Sequence, residues 1–322
     1  MRLLLALGGN AILREGERGT YEQQERNIGR TASRIAAIVG MGHDVILTHG
    51  NGPQVGDILL RNELARKRLP AMPLHVCGGE SQGMLGYMLA QSLANSLRRR
   101  GIGKEVACVL TQTVVDRSDP GFRKQSKPIG PFYGASAARR LAKEYGWHMV
   151  REQGKYRRAV ASPSPVAVVE LDAIRDLSSL GRVVVCAGGG GVPVVKRGRS
   201  LSGVDAVVDK DLTSSLLAVQ LKADRLVILT DVSGVFLNYG KRGQRRLSTL
   251  TASECERYLA DRQFGEGTMR PKIEASLQYV RATGRDAVIA PLEQAEAAVL
   301  GKAGTRITAN GRRAAPRKAS AA

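Results

Sequence analysis

Short aliphatic runs recur along this chain, and three of them stop abruptly at glycine. Arg2–Leu7 runs into Gly8-Gly9-Asn10, Asp44–Thr48 into His49-Gly50-Asn51-Gly52, and Val183–Ala187 into Gly188-Gly189-Gly190-Gly191. A strand that is apolar on both faces must be covered on both faces, which places it inside a mainly parallel sheet. The segments between read as helices. Tyr21–Val39 sets Ile28, Ile35 and Ile38 on one side and stops at Gly40 and Gly42; Val55, Ile58 and Leu59 mark a second helix; a long third one is predicted over Glu80–Arg99, ended by Gly101. Further strands are expected at Glu105–Val115, Val192–Val195, Arg225–Thr230, Val235–Leu237, Asp286–Ala290 and Thr305–Thr308, with helices at Ala252–Leu259 and Pro271–Ala282. That alternation specifies an α/β fold with helices on both faces of the sheet.

Glycine endings also carry chemistry. Without a Cβ the backbone passes close to a ligand and adopts positive φ, so successive N–H groups converge on one anion. In a parallel sheet such junctions gather at the carboxyl edge, where ligands bind. Two lysines fit the same picture. Lys210, in Val208-Asp209-Lys210-Asp211, and Lys272, in Met269-Arg270-Pro271-Lys272, fall in the first turns of predicted helices. A cation there opposes the helix dipole, which makes sense where an anion binds between them. The alternative is a solvated lysine beside an ordinary cap. No Gly-x4-Gly-Lys-Ser/Thr loop is present, and Gly50-x-Gly52-x-x-x-Gly56 has the wrong spacing for a dinucleotide fingerprint.

A chain of 322 residues, 43% hydrophobic, suffices for one large α/β domain or two lobes. Residues 118–165 break the rhythm. They are basic, carry five prolines and hold six of the thirteen aromatics, and an insertion of this length reads as a lid or small subdomain. No apolar run reaches membrane-spanning length, and the apolar N-terminus lacks a signal peptide's length and cleavage region. Cys77, Cys108, Cys186 and Cys255 are scattered and read as reduced core thiols of a cytoplasmic protein; neither they nor the four histidines show metal-ligand spacing, so no metal site is expected. The formal charge of +20 raises nucleic-acid binding as a possibility. No aromatic–basic interleaving of the base-stacking kind is present, so solvated faces are the better account. Part of the excess lies in a tail at 309–322, where Arg312, Arg313, Arg317 and Lys318 stand among alanines and disorder is expected.

Several stretches resemble carbamate kinases of the amino acid kinase family. They are Ala6-Leu7-Gly8-Gly9-Asn10-Ala11, Thr48-His49-Gly50-Asn51-Gly52-Pro53-Gln54-Val55-Gly56, Lys127-Pro128-Ile129-Gly130-Pro131-Phe132, Ser162-Pro163-Ser164-Pro165, Cys186–Val194, Gly203–Asp211 and Met269–Ala275. They follow in order through the chain to about Ile307. The resemblance implies a three-layer αβα sandwich over 1–308, with 118–165 as a protruding subdomain, and a homodimer. It also implies reversible phosphoryl transfer between ATP and carbamate, giving ADP and carbamoyl phosphate, with Mg2+ bridging the nucleotide phosphates. The wider fold family places a lysine on the first strand. Here Arg2–Leu7 has none, and carbamate kinases use instead a lysine of the subdomain, matched by Lys127. At Gly79-Glu80 the chain departs from the uncharged Ala-Met-like pair of the family.

Carbamate is already an anionic nucleophile, so the chemistry asks for positioning and positive charge, not a general base. Gly8, Gly9, Asn10, Gly50, Asn51 and Gly52 are assigned to the acceptor and the transferring phosphoryl group. Lys127, Lys210 and Lys272 would neutralise developing charge, with Asp209 either orienting them or acting only as a helix N-cap. Thr230, Asp231, Tyr239 and Met269 would flank the nucleotide, together with Lys210 and Lys272; Tyr239 reads equally as an exposed loop residue. The competing enzyme reading is an amino acid kinase with another carboxylate or phosphate acceptor.

Overall fold

Along the first strand, Leu3, Leu5 and Leu7 face one side and Leu4 and Ala6 the other, and all five are fully buried. The computed structural model describes residues 1–14, 16–152, 154–265 and 269–310. Its main sheet has eight strands in the order Thr249–Thr251, Thr305–Thr308, Ala287–Pro291, Arg225–Thr230, Arg2–Leu7, Asp44–His49, Val183–Cys186 and Val106–Val109. Every neighbouring pair is parallel except Ala287–Pro291 with Thr305–Thr308. On one face Leu3, Leu5 and Leu7 meet the helices Tyr21–Gly40, Leu74–Arg99 and Ala295–Val299. On the other, Leu4 and Ala6 meet Leu171–Ser179, Lys210–Gln220, Ala252–Ala260 and Met269–Thr283. The result is an αβα sandwich with one apolar core on each side of the sheet. Each fully buried leucine contributes about 1.5–3 kcal/mol, so the aromatic-poor composition is no obstacle to stability.

Two smaller sheets flank the carboxyl edge. One has the order Ser200–Gly203, Val192–Arg197, Gln112–Val115, Pro165–Val168. The other joins Lys127–Tyr133, Lys155–Val160 and Met149–Glu152 beside the helix Ala135–Tyr145. This second sheet docks on the helix Gly52–Ala65 through bare backbone. A Cβ built on Gly56 would fall 1.8 Å from the Gly130 Cα, and Gly130 has φ +72°. Only glycine at both positions permits that approach.

Some boundaries differ from the sequence expectation. The strand expected over Glu105–Val115 is two strands in two sheets, Val106–Val109 and Gln112–Val115. Between them Thr111 is held by the Gln82 amide on both backbone groups (3.0 Å each), and its hydroxyl accepts from the Ala187 amide at 2.9 Å. Those bonds turn the chain out of the main sheet, an effect no local propensity encodes. The third helix begins at Leu74, not Glu80, and runs through Gly78-Gly79. Further along it, Gly86 leaves room for the Cys108 sulfur, which would lie 2.3 Å from an added Cβ. Cys77, Cys186 and Cys255 are buried, whereas Cys108 sits exposed on the edge strand. Of the expected tail, Ala309 packs against the core and Asn310 bonds to Ser253; residues 311–322 lie outside the described residues.

Candidate functional site

Four neighbouring strands of the main sheet end at Leu7, His49, Cys186 and Thr230. The three glycine loops and the Thr230-Asp231 turn therefore lie side by side. They also touch. A Cβ on Gly50 would lie 3.5 Å from both the Gly9 nitrogen and the Lys210 Cε, and one on Gly8 3.0 Å from the Leu229 carbonyl oxygen. Gly188 abuts the His49 ring and Gly190 the Val208 backbone. His49 is 1% exposed; its Nδ1 donates to the Gly50 carbonyl at 3.0 Å in the tautomer that pairs them. Burial pushes its pKa down to about 4. The ring is neutral at pH 7 and acts as a wall, its one N–H taken up by the Gly50 carbonyl.

Helices bring the charge. Three of them, Gly52–Ala65, Lys210–Gln220 and Met269–Thr283, start at this edge, so their N-terminal amides add positive potential. Lys210 is the first residue of its helix, and Lys272 stands in the first turn of another. The two ammoniums grip the same carboxylate. Lys210 Nζ lies 2.5 Å from Asp211 Oδ1, and Lys272 Nζ 2.8 Å from Asp211 Oδ2. Burial pushes the Lys210 ammonium below the usual lysine range, against the pull of Asp211. Burial also works against Lys272, but there the Asp211 and Asp209 carboxylates outweigh it and the net shift is upward. Burial alone would raise the Asp211 carboxyl; the two lysines overcome it and hold the group well below the usual carboxylate range. With both lysines protonated the triad carries one net positive charge in a water-poor place.

Lys127 reaches the same spot from the small sheet, 2.5 Å from Asp209 Oδ2. Asp209 is also the N-cap of Lys210–Gln220, accepting from the Asp211 amide at 2.9 Å. The two expectations for Asp209 are therefore compatible, with one correction. Asp209 holds Lys127, while Lys210 and Lys272 are held by Asp211. Sequence reasoning passed over Asp211 because an acidic residue in a first helical turn is what the dipole favours anyway.

Beyond Gly8-Gly9 a cleft of about 390 Å3 is lined by Gly8, Gly9, Asn10, Thr230, Asp231 and Lys272, among others. Asn10 Nδ2 donates to Asp231 Oδ2 at 2.8 Å, and the Thr230 hydroxyl to Asp231 Oδ1 at 2.9 Å. Next to it a second hollow of about 320 Å3 shares Thr230, Asp231 and Lys272 and adds Phe236, Tyr239, Phe264 and Met269. Tyr239 is 62% exposed, with its ring 5.7 Å from that of Phe236, so it is at once a loop residue and a wall of the hollow. A small flat apolar wall beside a cationic cleft suits a nucleotide base next to its phosphates. On the other side of the glycine pair, Gly50, Asn51 and Gly52 open the helix Gly52–Ala65. Asn51 donates to the Ser81 hydroxyl at 2.7 Å, a partner the sequence did not announce.

The comparisons with known proteins point the same way. The model of the amino acid kinase family matches residues 1–291. A carbamate kinase of Thermococcus kodakarensis is 47% identical over 310 residues, covering 95% of this chain and 98% of that protein. One from Trichomonas vaginalis is 45% identical over 314 residues, covering 96% and 100%. Among solved structures, carbamate kinase from Giardia lamblia bound to citric acid superposes with a TM-score of 0.92 at 40% identity, covering 96% of this chain and 98% of that one. The same Giardia protein bound to AMP-PNP gives 0.88 at 41% identity, with the same coverage. The chain belongs to the amino acid kinase family and, within it, to the carbamate kinases.

Proposed function

We propose that this chain catalyses reversible phosphoryl transfer between ATP and carbamate, yielding ADP and carbamoyl phosphate. The observation that carries the reading is the meeting of Lys127 with the Lys210–Asp211–Lys272 triad at the glycine edge, next to a first strand that has no lysine. In this reading the base rests against Phe236, Tyr239 and Met269. The phosphates lie along Gly8, Gly9 and Lys272, and the acceptor sits between Gly50-Asn51 and Lys127. Carbamate oxygen attacks the γ-phosphorus in line as the bond to the ADP oxygen breaks, and the lysines and helix amides neutralise the charge that spreads over the equatorial oxygens. No proton has to move.

Among the described residues no three His, Cys, Asp or Glu side chains are grouped to hold a metal. Asp209 and Asp211 are taken up by lysines, while Asp231 borders both halves of the cleft. That donor set fits a Mg2+ that arrives on the phosphates and meets one carboxylate, Asp231; bound there, it would offset phosphate charge. Residues 118–165 serve in this reading as the lid that delivers Lys127. The edge strand Val106–Val109, with Leu110, Val166 and Val169 exposed nearby, is the face on which we place a homodimer; light scattering on purified protein tests it. Unpaired cysteines and the use of ATP favour the cytoplasm. The deciding assay is ATP formation from ADP and carbamoyl phosphate. Absence of ATP there, with turnover of another acyl phosphate, would move the chain to a different acceptor.

A further inference from the structure

Asn51 does not hang free at the mouth of its helix. Its Nδ2 donates to Ser81 Oγ at 2.7 Å, and the Ser81 hydroxyl donates in turn to the Gly78 carbonyl at 2.7 Å. A serine has one proton to give. With that proton on Gly78, the oxygen must accept, so Asn51 has to offer its nitrogen and not its carbonyl. Ser81 is fully buried, which shields the relay from water. Gly189 packs flat on the same amide: a Cβ there would fall 2.2 Å from Asn51 Nδ2 and 2.3 Å from its Oδ1. Asn51 Oδ1 accepts from no group among the described residues, although it belongs to the residue next to Gly50, itself packed on Gly9 and Lys210.

We propose that Ser81 is a positioning residue for acceptor choice. It fixes the Asn51 amide with Oδ1 left to accept an N–H from the acceptor. The site then favours a carboxylate that bears NH2 on its carboxyl carbon over one that bears CH3. The inference rests on the carbamate reading above and deepens it. A site built to accept an N–H discriminates strongly against an analogue that lacks one, because the acceptor oxygen, covered by the bound substrate, is left unpaired. Without the Ser81 hydroxyl the amide, nearly the same shape either way round, is free to turn over and the preference is lost.

The test is the ratio of kcat/KM for carbamoyl phosphate to that for acetyl phosphate, each with ADP, in the full chain and in Ser81→Ala. The substitution removes one oxygen and adds nothing, and a cooperative melt verifies folding. The ratio is expected to fall about tenfold or more, with the loss confined to carbamoyl phosphate and the KM for ADP unchanged. An unchanged ratio, or an equal loss on both phosphates, overturns the inference, since a merely structural role moves both alike. Wild-type protein that turns over neither phosphate overturns the carbamate reading itself and this inference with it.

Discussion

Replacing Asp211 by asparagine keeps the shape of the side chain and removes the one charge that separates two lysines. Lys210 and Lys272 have side chains only 12% and 13% exposed, and each is within hydrogen-bond distance of the carboxylate. Breaking a buried ion pair on one side costs about 3–5 kcal/mol, because the remaining charge stays in place without compensation. Here two such charges remain and face each other, so the upper half of that range is expected. For a chain of this size the melting temperature should fall by on the order of ten degrees. ATP offers a specific check. In the proposed binding mode its phosphates bring negative charge to the same two ammoniums, so saturating nucleotide should raise the Tm of Asp211→Asn by more than it raises that of the wild type. The pH dependence follows with a definite sign. In the wild type the Asp211 carboxyl titrates below its ordinary value of 3.8. Its stabilisation is therefore complete above about pH 4 and disappears only as the pH falls through the depressed value; the gap between wild type and variant should close in acid. At the alkaline end Asp211 supports a Lys210 charge that burial already weakens, so the falling limb of the kcat profile should move to lower pH in the variant. Scanning calorimetry with and without nucleotide reads the first effects, and a pH–rate profile the last. A melting temperature within about a degree of wild type, or an ATP shift no larger than the wild type's, would refute this account of the triad.

Three further outcomes are expected. Lys127→Ala should lower kcat about a hundredfold or more while the KM for ATP changes far less, and Lys127→Arg should recover only part; near-normal turnover would make Lys127 a plain lid lysine. Gly56→Ala sets a Cβ against the Gly130 backbone, which should destabilise by about 1–3 kcal/mol and lower kcat by displacing Lys127. Gly83→Ala, on the neighbouring helix with no atom within 4 Å, should leave the melt and kcat unharmed, and equal behaviour of the two variants would contradict the docking argument. His49 stays neutral in the fold down to about pH 4 against an ordinary 6.5, so its contribution is present above pH 6.5 and about 3 kcal/mol is lost by pH 4; the stability gap between wild type and His49→Asn, measured by denaturant titration at pH 7 and pH 4, should narrow by that amount.

The sheet was legible because its central strands are aliphatic on both faces and stop at glycine. Leu3 to Leu7 could be buried only between two helix layers, and the ends at Gly8, Gly50 and Gly188 marked one edge. What local pattern could not supply was any feature decided by a distant partner. The run Glu105–Val115 reads as one strand, and only the Gln82 amide and the Ala187 backbone, both bonded to Thr111, divide it. The helix start at Leu74 was hidden by Gly78-Gly79, which signal a break by propensity, although nothing crowds Gly78 and Gly79 meets only the Val192 side chain at ordinary contact distance.

Charge at the site divides along the same line. Lys210 and Lys272 stood out because a lysine in a first helical turn is locally unfavourable, and a local cost is visible in sequence. Asp211 in the same position is locally favourable, so its task of holding two buried ammoniums left no trace. Lys127 lies between these cases. In a basic segment it is one lysine among many, and only the missing lysine of Arg2–Leu7, weighed through family resemblance, singled it out. The structure adds what makes its placement physical. Gly56 and Gly130 let the strand Lys127–Tyr133 approach to backbone contact, and Asp209, already fixed as a helix cap by the Asp211 amide, receives the ammonium at 2.5 Å. A first-strand lysine would need neither device, since the sheet itself would hold it. Placing the charge on the small sheet makes the cap, the glycine contact and the lysine one unit, and a defect in any of the three should appear as loss of the same charge.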